Sequence, residues 1–99
     1  MNSNLCIGIA SRNDVLEIAA LEPGEAAVAV KFPASAMGVE AIKLFLADYG
    51  IPVRLAVAGV AALSLALALG NAPRREVFIV SASVTEQPLA LAHYARRSI

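Results

Sequence analysis

Cysteine, histidine and aromatic residues are scarce in this sequence of 99 residues, and tryptophan is absent. The single cysteine excludes an intramolecular disulfide framework, and the single histidine excludes a metal site built from several imidazoles. Hydrophobic residues make up 59% of the chain but aromatic residues only 5%, so the core must consist of Ala, Val, Leu and Ile. Because small side chains fill volume poorly, we expect some apolar surface to remain for self-association.

The charge composition shows no excess of either sign. Eight basic residues balance eight acidic ones, and charged residues make up only 16% of the chain. A clear basic excess is the usual sign of nucleic-acid binding, so composition alone does not indicate that class of partner. The sequence starts without the basic and apolar regions of a signal peptide, which predicts a cytoplasmic protein. Cys6 lies in an apolar run and is expected to be a buried, inert thiol.

The apolar pattern predicts three strands in the first third of the chain, joined by short turns. The strands cover residues 5–10, 15–21 and 26–32. The apolar period then changes to that of a helix over residues 36–49, where Ser35 can cap the start and Gly50 can end the last turn. An antiparallel meander followed by a helix is therefore predicted.

The rest of the chain alternates strands with helices. A strand is predicted over residues 53–57, a nearly all-apolar helix over 60–69, a strand over 76–81 and a last helix capped by Thr85. The order β-β-β-α-β-α-β-α predicts an α/β fold with a mixed five-stranded sheet of order 3-2-1-4-5 and helices on its faces. This is the ribonuclease H arrangement, and residues 1–99 are expected to form one such domain.

One segment also has to be considered as a membrane span. Residues 55–73 carry no charge and approach the length of a spanning helix. Gly59 and Gly70 interrupt the run, Pro73 ends it, and much of it is Ala, which contributes little to insertion. We therefore interpret the segment as a buried strand followed by a buried helix, and the membrane location is the less favoured alternative.

Four segments of the sequence carry short motifs of one protein family. Residues 7–12 (IGIASR) are similar to a G-I-D-V-S-K first strand, and residues 32–38 (FPASAMG) resemble an F-P-N-x-x-x-G start of the first helix. Residues 56–59 (AVAG) resemble an E-A-T-G strand end, and residues 87–96 (QPLALAHYAR) are similar to a D-A-x-x-L-A-x-Y-A-R helix. These motifs resemble those of the N-terminal domain of DEDD-type, Piv-like transposases, a RuvC-like domain with the ribonuclease H fold. The resemblance extends over nearly the whole chain and implies the same scaffold.

The same resemblance identifies four positions where the family has metal-binding carboxylates and this sequence has none. These positions fall at Ala10, Ala56, Val84 and Gln87. Phosphodiester cleavage with two divalent metals needs hard oxygen ligands that hold the ions about 4 Å apart. The resemblance therefore implies a scaffold without the activity, and we expect neither an enzyme nor a bound metal or cofactor.

Other residue patterns suggest two further kinds of site. Glu76 and Glu86 lie closest to the expected metal site and are the candidates for an enzyme with relocated acids, although a strand end and a helix start explain them more simply. Basic pairs at Arg74–Arg75 and Arg96–Arg97 are the candidate nucleic-acid contacts, because phosphate binding needs clustered cations. Solvation of a loop and a helix end is the simpler role for these pairs.

The hypothesis that the sequence favours is a non-catalytic interaction or assembly module, with a second copy of the chain or another protein as its partner. Its candidate interface is the helix over residues 60–69, through Leu63, Leu65 and Leu67. An all-apolar helix exceeds what a thin domain can cover, so it is suited to burial against a second subunit. The alternative is a DNA-binding remnant of a DEDD-type transposase, for which the arginine pairs and neighbouring Lys31 or Lys43 are the only support.

Overall fold

The structure is a computed structural model that describes residues 5–21, 27–47, 52–59, 62–70, 75–80 and 87–97. These residues form strands and helices in the predicted alternation. In chain order the elements are β1 (Leu5–Arg12), β2 (Val15–Leu21), β3 (Ala27–Pro33), α1 (Ala36–Ala47), β4 (Val53–Gly59), α2 (Ala62–Leu69), β5 (Arg75–Ile79) and α3 (Pro88–Arg97).

The five strands form one mixed sheet of order β3-β2-β1-β4-β5. The pairs β1–β2 and β2–β3 are antiparallel, whereas β4 lies parallel to both β1 and β5. Ile7, near the middle of β1, is opposite Ala20 of β2 on one side and Leu55 of β4 on the other. This order and these directions confirm the predicted ribonuclease H-like arrangement and its α/β class.

Large aliphatic side chains cover one face of the sheet, on which α1 and α2 pack. We call this side the α1–α2 face. Its buried cluster consists of Leu5, Ile7, Ile9, Leu16, Ile18, Ala20, Ile42, Leu46, Val53, Leu55, Val57, Ala62, Leu65 and Leu69. Burial of each Leu or Ile stabilises the fold by roughly 1.5–3 kcal/mol, so this cluster is the main core.

Mostly small residues cover the opposite face, on which α3 packs, and we call this side the α3 face. Its buried cluster consists of Cys6, Ala10, Leu21, Ala56, Ala58, Val80, Leu91, Ala92 and Ala95. A β-carbon placed on Gly8 would lie 2.5 Å from the Ala92 nitrogen and 2.6 Å from the Leu91 β-carbon. Gly8 is therefore required for the close approach of α3 to the sheet.

The ends of several elements differ from the prediction. β1 and β4 each continue two residues further, because Ser11 pairs with Gly59 at the end of their parallel ladder. Gly59 has a φ of 104°, a left-handed conformation that favours glycine, and this position ends β4. β5 runs over Arg75–Ile79, so it begins and ends earlier than predicted. The Thr85 cap and the end of the first predicted helix lie outside the described residues.

Candidate functional site

Two of the four positions at which the sequence resemblance would place carboxylates lie together in the core of the α3 face. Ala10 on β1 and Ala56 on β4 are both buried. Ala10 is paired with Ala58 of β4, and Ala56 is paired with Gly8 of β1. Leu91 and the alanines of α3 cover them. An unpaired carboxylate at either position would cost several kcal/mol, because burial removes it from water without a compensating partner.

The other two positions lie towards the start of α3. Val84 is outside the described residues. Gln87 is exposed immediately before α3 and borders a groove of ≈ 400 Å³ between the start of that helix and strands β2 and β3. Glu17 and Lys31 line the same groove and are ion-paired to each other at 4.0 Å. An amide and one paired carboxylate do not make the donor set that a divalent metal needs.

Of the two acids proposed as replacements, only Glu76 lies in the described part of the chain. Glu76 lies on the edge strand β5, where its side chain is largely exposed and its Oε1 is 3.3 Å from the Arg54 Nε. Glu86 lies outside the described residues. Within the described ranges, no group of three or more Asp, Glu, His and Cys side chains is placed to hold a metal ion.

Arg75 and the pair Arg96–Arg97 lie on opposite faces of the sheet. Arg75 begins β5, and its Nη1 donates a 3.0 Å hydrogen bond to the carbonyl oxygen of Leu69, the last residue of α2. Arg96 and Arg97 end α3 on the other side of the sheet. Arg74 lies outside the described residues. Arg75 therefore lies apart from Arg96 and Arg97, and its hydrogen bond caps the end of α2.

Arg54 forms a polar cluster on the α3 face that was not identified from the sequence as a site. It lies opposite Cys6 on the neighbouring strand, and its guanidinium carbon is 5.6 Å from the centre of the Phe78 ring. Phe78 in turn contacts the Tyr94 ring of α3 edge-to-face, with centroids 6.5 Å apart. Two residues further along α3, Arg96 lies within hydrogen-bonding reach of the Cys6 thiol. The available signal was one charged residue inside the otherwise apolar strand VRLAVAG.

Burial and the two arginines act on the Cys6 thiol in opposite directions. Burial raises the pKa of Cys6, because it penalises the thiolate, and the nearby positive charges of Arg96 and Arg54 lower it by a smaller amount. The net effect is a raised pKa, so the thiol is neutral at physiological pH. The sequence-based prediction of a buried thiol at this position is confirmed.

The outer surface of α2 carries two of the three leucines proposed as an interface. Leu63 and Leu67 are 64% and 72% exposed. Leu65 is 1% exposed and belongs to the core of the α1–α2 face, so its inclusion in an exposed interface was wrong. The helical period separates the exposed leucines from the buried one. Residues 63 and 67 are four apart and lie on the outer side of α2, whereas residue 65 lies on the side that meets the sheet.

Helix α1 presents a similar apolar surface beside α2. Met37 is 81% exposed and Leu44 is 71% exposed, seven residues apart on the same side of the helix. Between α1 and α2 lies an open, largely apolar groove of ≈ 400 Å³. Its lining residues are Leu16, Ala34, Ser35, Ala36, Val39, Glu40, Lys43, Ser64, Leu65 and Ala68. We use the name α1–α2 outer surface for this groove together with the exposed side chains of Met37, Leu44, Leu63 and Leu67.

No protein-family model matches this sequence, and no curated protein matches it at a significant level. The functional assignment therefore depends on the geometry of the chain itself. None of the helices in the described part of the chain is both long enough and apolar enough to cross a membrane. Within its described part, the uncharged segment considered above contains the last five residues of strand β4 (residues 55–59) and the eight-residue helix α2.

Proposed function

We propose that this chain is a non-catalytic ribonuclease H-like domain that works as an assembly module and binds a second copy of itself. The observation that carries the proposal is the α1–α2 outer surface. Two neighbouring helices expose Met37, Leu44, Leu63 and Leu67 to solvent, with an apolar groove between them. None of these four side chains lines the groove itself, but several large exposed apolar side chains on a small domain favour an interaction site.

The charges of this surface favour a second copy over a strongly charged partner. Glu40 and Lys43 are the only charged residues of α1, and α2 has none. These two side chains are opposite in sign and lie 2.9 Å apart, so the surface is neutral. Two copies related by a two-fold axis would bring together two neutral, apolar surfaces, and Glu40 of one copy could exchange partners with Lys43 of the other.

The non-catalytic part of the proposal is supported by the α3 face. Ala10 and Ala56 occupy the positions where the resembling family has metal ligands, and α3 packs directly over both. The methyl and aliphatic groups around Ala10 and Ala56 provide no ligand for Mg²⁺ or Mn²⁺. On this proposal the scaffold acts by binding through its outer surface and not by catalysis.

Sedimentation velocity over a range of protein concentrations tests the self-association. We expect the unmodified chain to form dimers and the double variant Leu63→Glu/Leu67→Glu to sediment as a monomer with unchanged circular dichroism, because both side chains are exposed in the single chain. The matched control is Leu89→Glu, an exposed apolar position on α3, which should leave the dimer intact. A monomeric unmodified chain at every concentration, or a double variant that still dimerises, would overturn the proposal.

A second candidate function is DNA binding by a remnant of a DEDD-type transposase. It is favoured by one observation, that Arg54, Arg75, Arg96 and Arg97 all lie at the end of the sheet where the parallel strands begin. Among the described residues, Glu76 is the only carboxylate within ion-pair distance of any of these four arginines. Such a basic end could contact backbone phosphates, and this binding would weaken as salt is added.

A further inference from the structure

Arg54 carries a positive charge into the interior of the α3 face with incomplete compensation. The residue is 8% exposed, and its Nε is buried with no hydrogen-bond partner among the residues that the structure describes. The Glu76 Oε1 is 3.3 Å from that nitrogen but is not aligned to accept a hydrogen bond, and the Glu76 side chain is 61% exposed. A buried ion needs a well-oriented partner to offset the loss of hydration, and a largely hydrated carboxylate offsets only part of it.

Arg96 brings a second guanidinium to the same place. Both arginines act on the Cys6 thiol, Arg54 from the neighbouring strand and Arg96 from the end of α3. Among the described residues, no carboxylate lies within 4.0 Å of Arg96. Two positive charges that both act on one buried thiol repel each other more strongly than they would in water, and an anion between them would offset that repulsion.

We propose that Arg54 and Arg96 form a binding site for a small phosphate-type oxyanion on the α3 face. The planar guanidinium groups present paired N–H donors that match the oxygens of a phosphate group. Phe78 and Tyr94 form an apolar wall beside the site, since Phe78 contacts both the Arg54 guanidinium and the Tyr94 ring. The site is distinct from the α1–α2 outer surface, which lies on the other side of the sheet.

The burial of Arg54 favours a compact anion over a polymer. Only a small part of this side chain reaches solvent, so a phosphate group must approach closely to contact it. Arg97, by contrast, is exposed on the next position of α3 and contributes no contact to the Cys6 thiol. A free phosphate or the terminal phosphate of a small molecule can enter such a position, whereas a duplex backbone would contact mainly the exposed arginines.

Two measurements with inorganic phosphate at constant ionic strength test the site: a calorimetric titration and thermal denaturation. Chloride is the reference anion in both. We expect one phosphate per chain and a rise of several degrees in Tm that chloride does not produce. Arg96→Gln should weaken the binding by at least about tenfold, because it removes one charge-assisted donor. The matched control Arg97→Gln should change the affinity by less than about twofold, since that side chain is exposed and lies outside the cluster.

Arg54→Met provides a second variant with a different signature. It keeps a long apolar side chain in the buried position, so the domain should remain folded while the Tm shift with phosphate disappears. Failure of phosphate to bind the unmodified chain, or binding that persists in the folded Arg96→Gln and Arg54→Met variants, would overturn the proposal.

Fluorescence anisotropy with labelled duplex DNA distinguishes the two sources of phosphate. Phosphate binding with no DNA binding, or with DNA binding that Arg54→Met leaves unchanged, supports the small-anion site. DNA binding that falls with salt, together with no response to free phosphate, would overturn it in favour of backbone contacts. The oligomeric state, measured separately by sedimentation, does not enter either result.

Discussion

At the scale of single residues, burial acts differently on Cys6 and Arg54, which lie opposite each other on the α3 face. A thiol responds to burial by keeping its proton, and its pKa is raised here. A guanidinium does not lose its proton in a protein, so Arg54 must keep its charge and depends on partners such as Glu76 and Phe78. The buried charge of Arg54, which these partners offset only in part, is the physical basis of the proposed anion site.

The raised pKa of Cys6 predicts that stability depends on pH in the alkaline range. In the unfolded chain the thiol has its ordinary pKa of about 8.5, so above that pH the unfolded state loses its proton more readily than the folded state. The contribution is fully present below about pH 8.5 and is lost as pH rises through the raised folded value. Urea unfolding of the unmodified chain and of Cys6→Ala from pH 7 to pH 10 measures it.

The comparison removes the titration of tyrosines and lysines, which both proteins share. We expect the difference in free energy of unfolding between the two proteins to be constant up to about pH 8 and to fall above it. A difference that stays constant up to pH 10 would contradict the prediction, because it would mean that the thiol titrates equally in the folded and unfolded chains.

At the scale of elements, the position of α3 depends on small residues on β1 and β4. Gly8 lies directly under the first turns of α3, and Ala10, Ala56 and Ala58 lie around it in the same cluster. Larger side chains there would hold the helix away from the sheet and separate Arg96 from Arg54. The small residues at these positions therefore also allow Arg96 to lie near Cys6, which is paired with Arg54.

Replacing Gly8 with Ala should destabilise the domain by about 3 kcal/mol, because the added methyl group meets the backbone of α3 and the helix must shift. For a domain of this size such a loss lowers Tm by more than about 10 °C. The matched control is Ala29→Val on β3. Ala29 is on the α3 face like Gly8, but its side chain is exposed, and a β-branched residue suits a strand. Thermal denaturation followed by circular dichroism should show a large effect only for Gly8→Ala, and equal effects would contradict the proposed packing.

Helix α2 shows where a sequence pattern stops being informative at this scale. Its residues, ALSLALAL, are apolar on nearly every side, so the helical period predicts a helix without indicating which side is buried. The structure buries Ala62, Leu65 and Leu69 and exposes Leu63 and Leu67. The choice follows from the crossover between β4 and β5, which sets the side of α2 that meets the sheet.

At the scale of the whole molecule, the sheet separates two proposed surfaces. The α1–α2 outer surface is on one side, and the cluster of Arg54, Arg96, Phe78 and Tyr94 is on the other. Sites that share no side chains and lie apart on a rigid scaffold respond to mutation nearly additively. Assembly and anion binding should therefore be separable in this chain.

This separation predicts two reciprocal results. The Leu63→Glu/Leu67→Glu variant should keep the full Tm shift with phosphate, and Arg96→Gln should keep the sedimentation coefficient of the unmodified chain. Both follow because each change alters one face of the sheet only. Loss of phosphate binding in the leucine variant, measured by calorimetry, would show instead that the anion site requires the dimer.

The sequence by itself determined the order of the elements and the arrangement of the sheet. Period-two and period-3.6 patterns and turn residues are local signals, and few sheet topologies satisfy the rules for short, right-handed connections. Only the tertiary structure decided which leucines of α2 are exposed and that Arg54 and Arg96 meet at Cys6. Those contacts join residues far apart in the chain, and they depend on strand register and helix docking, which no local pattern encodes.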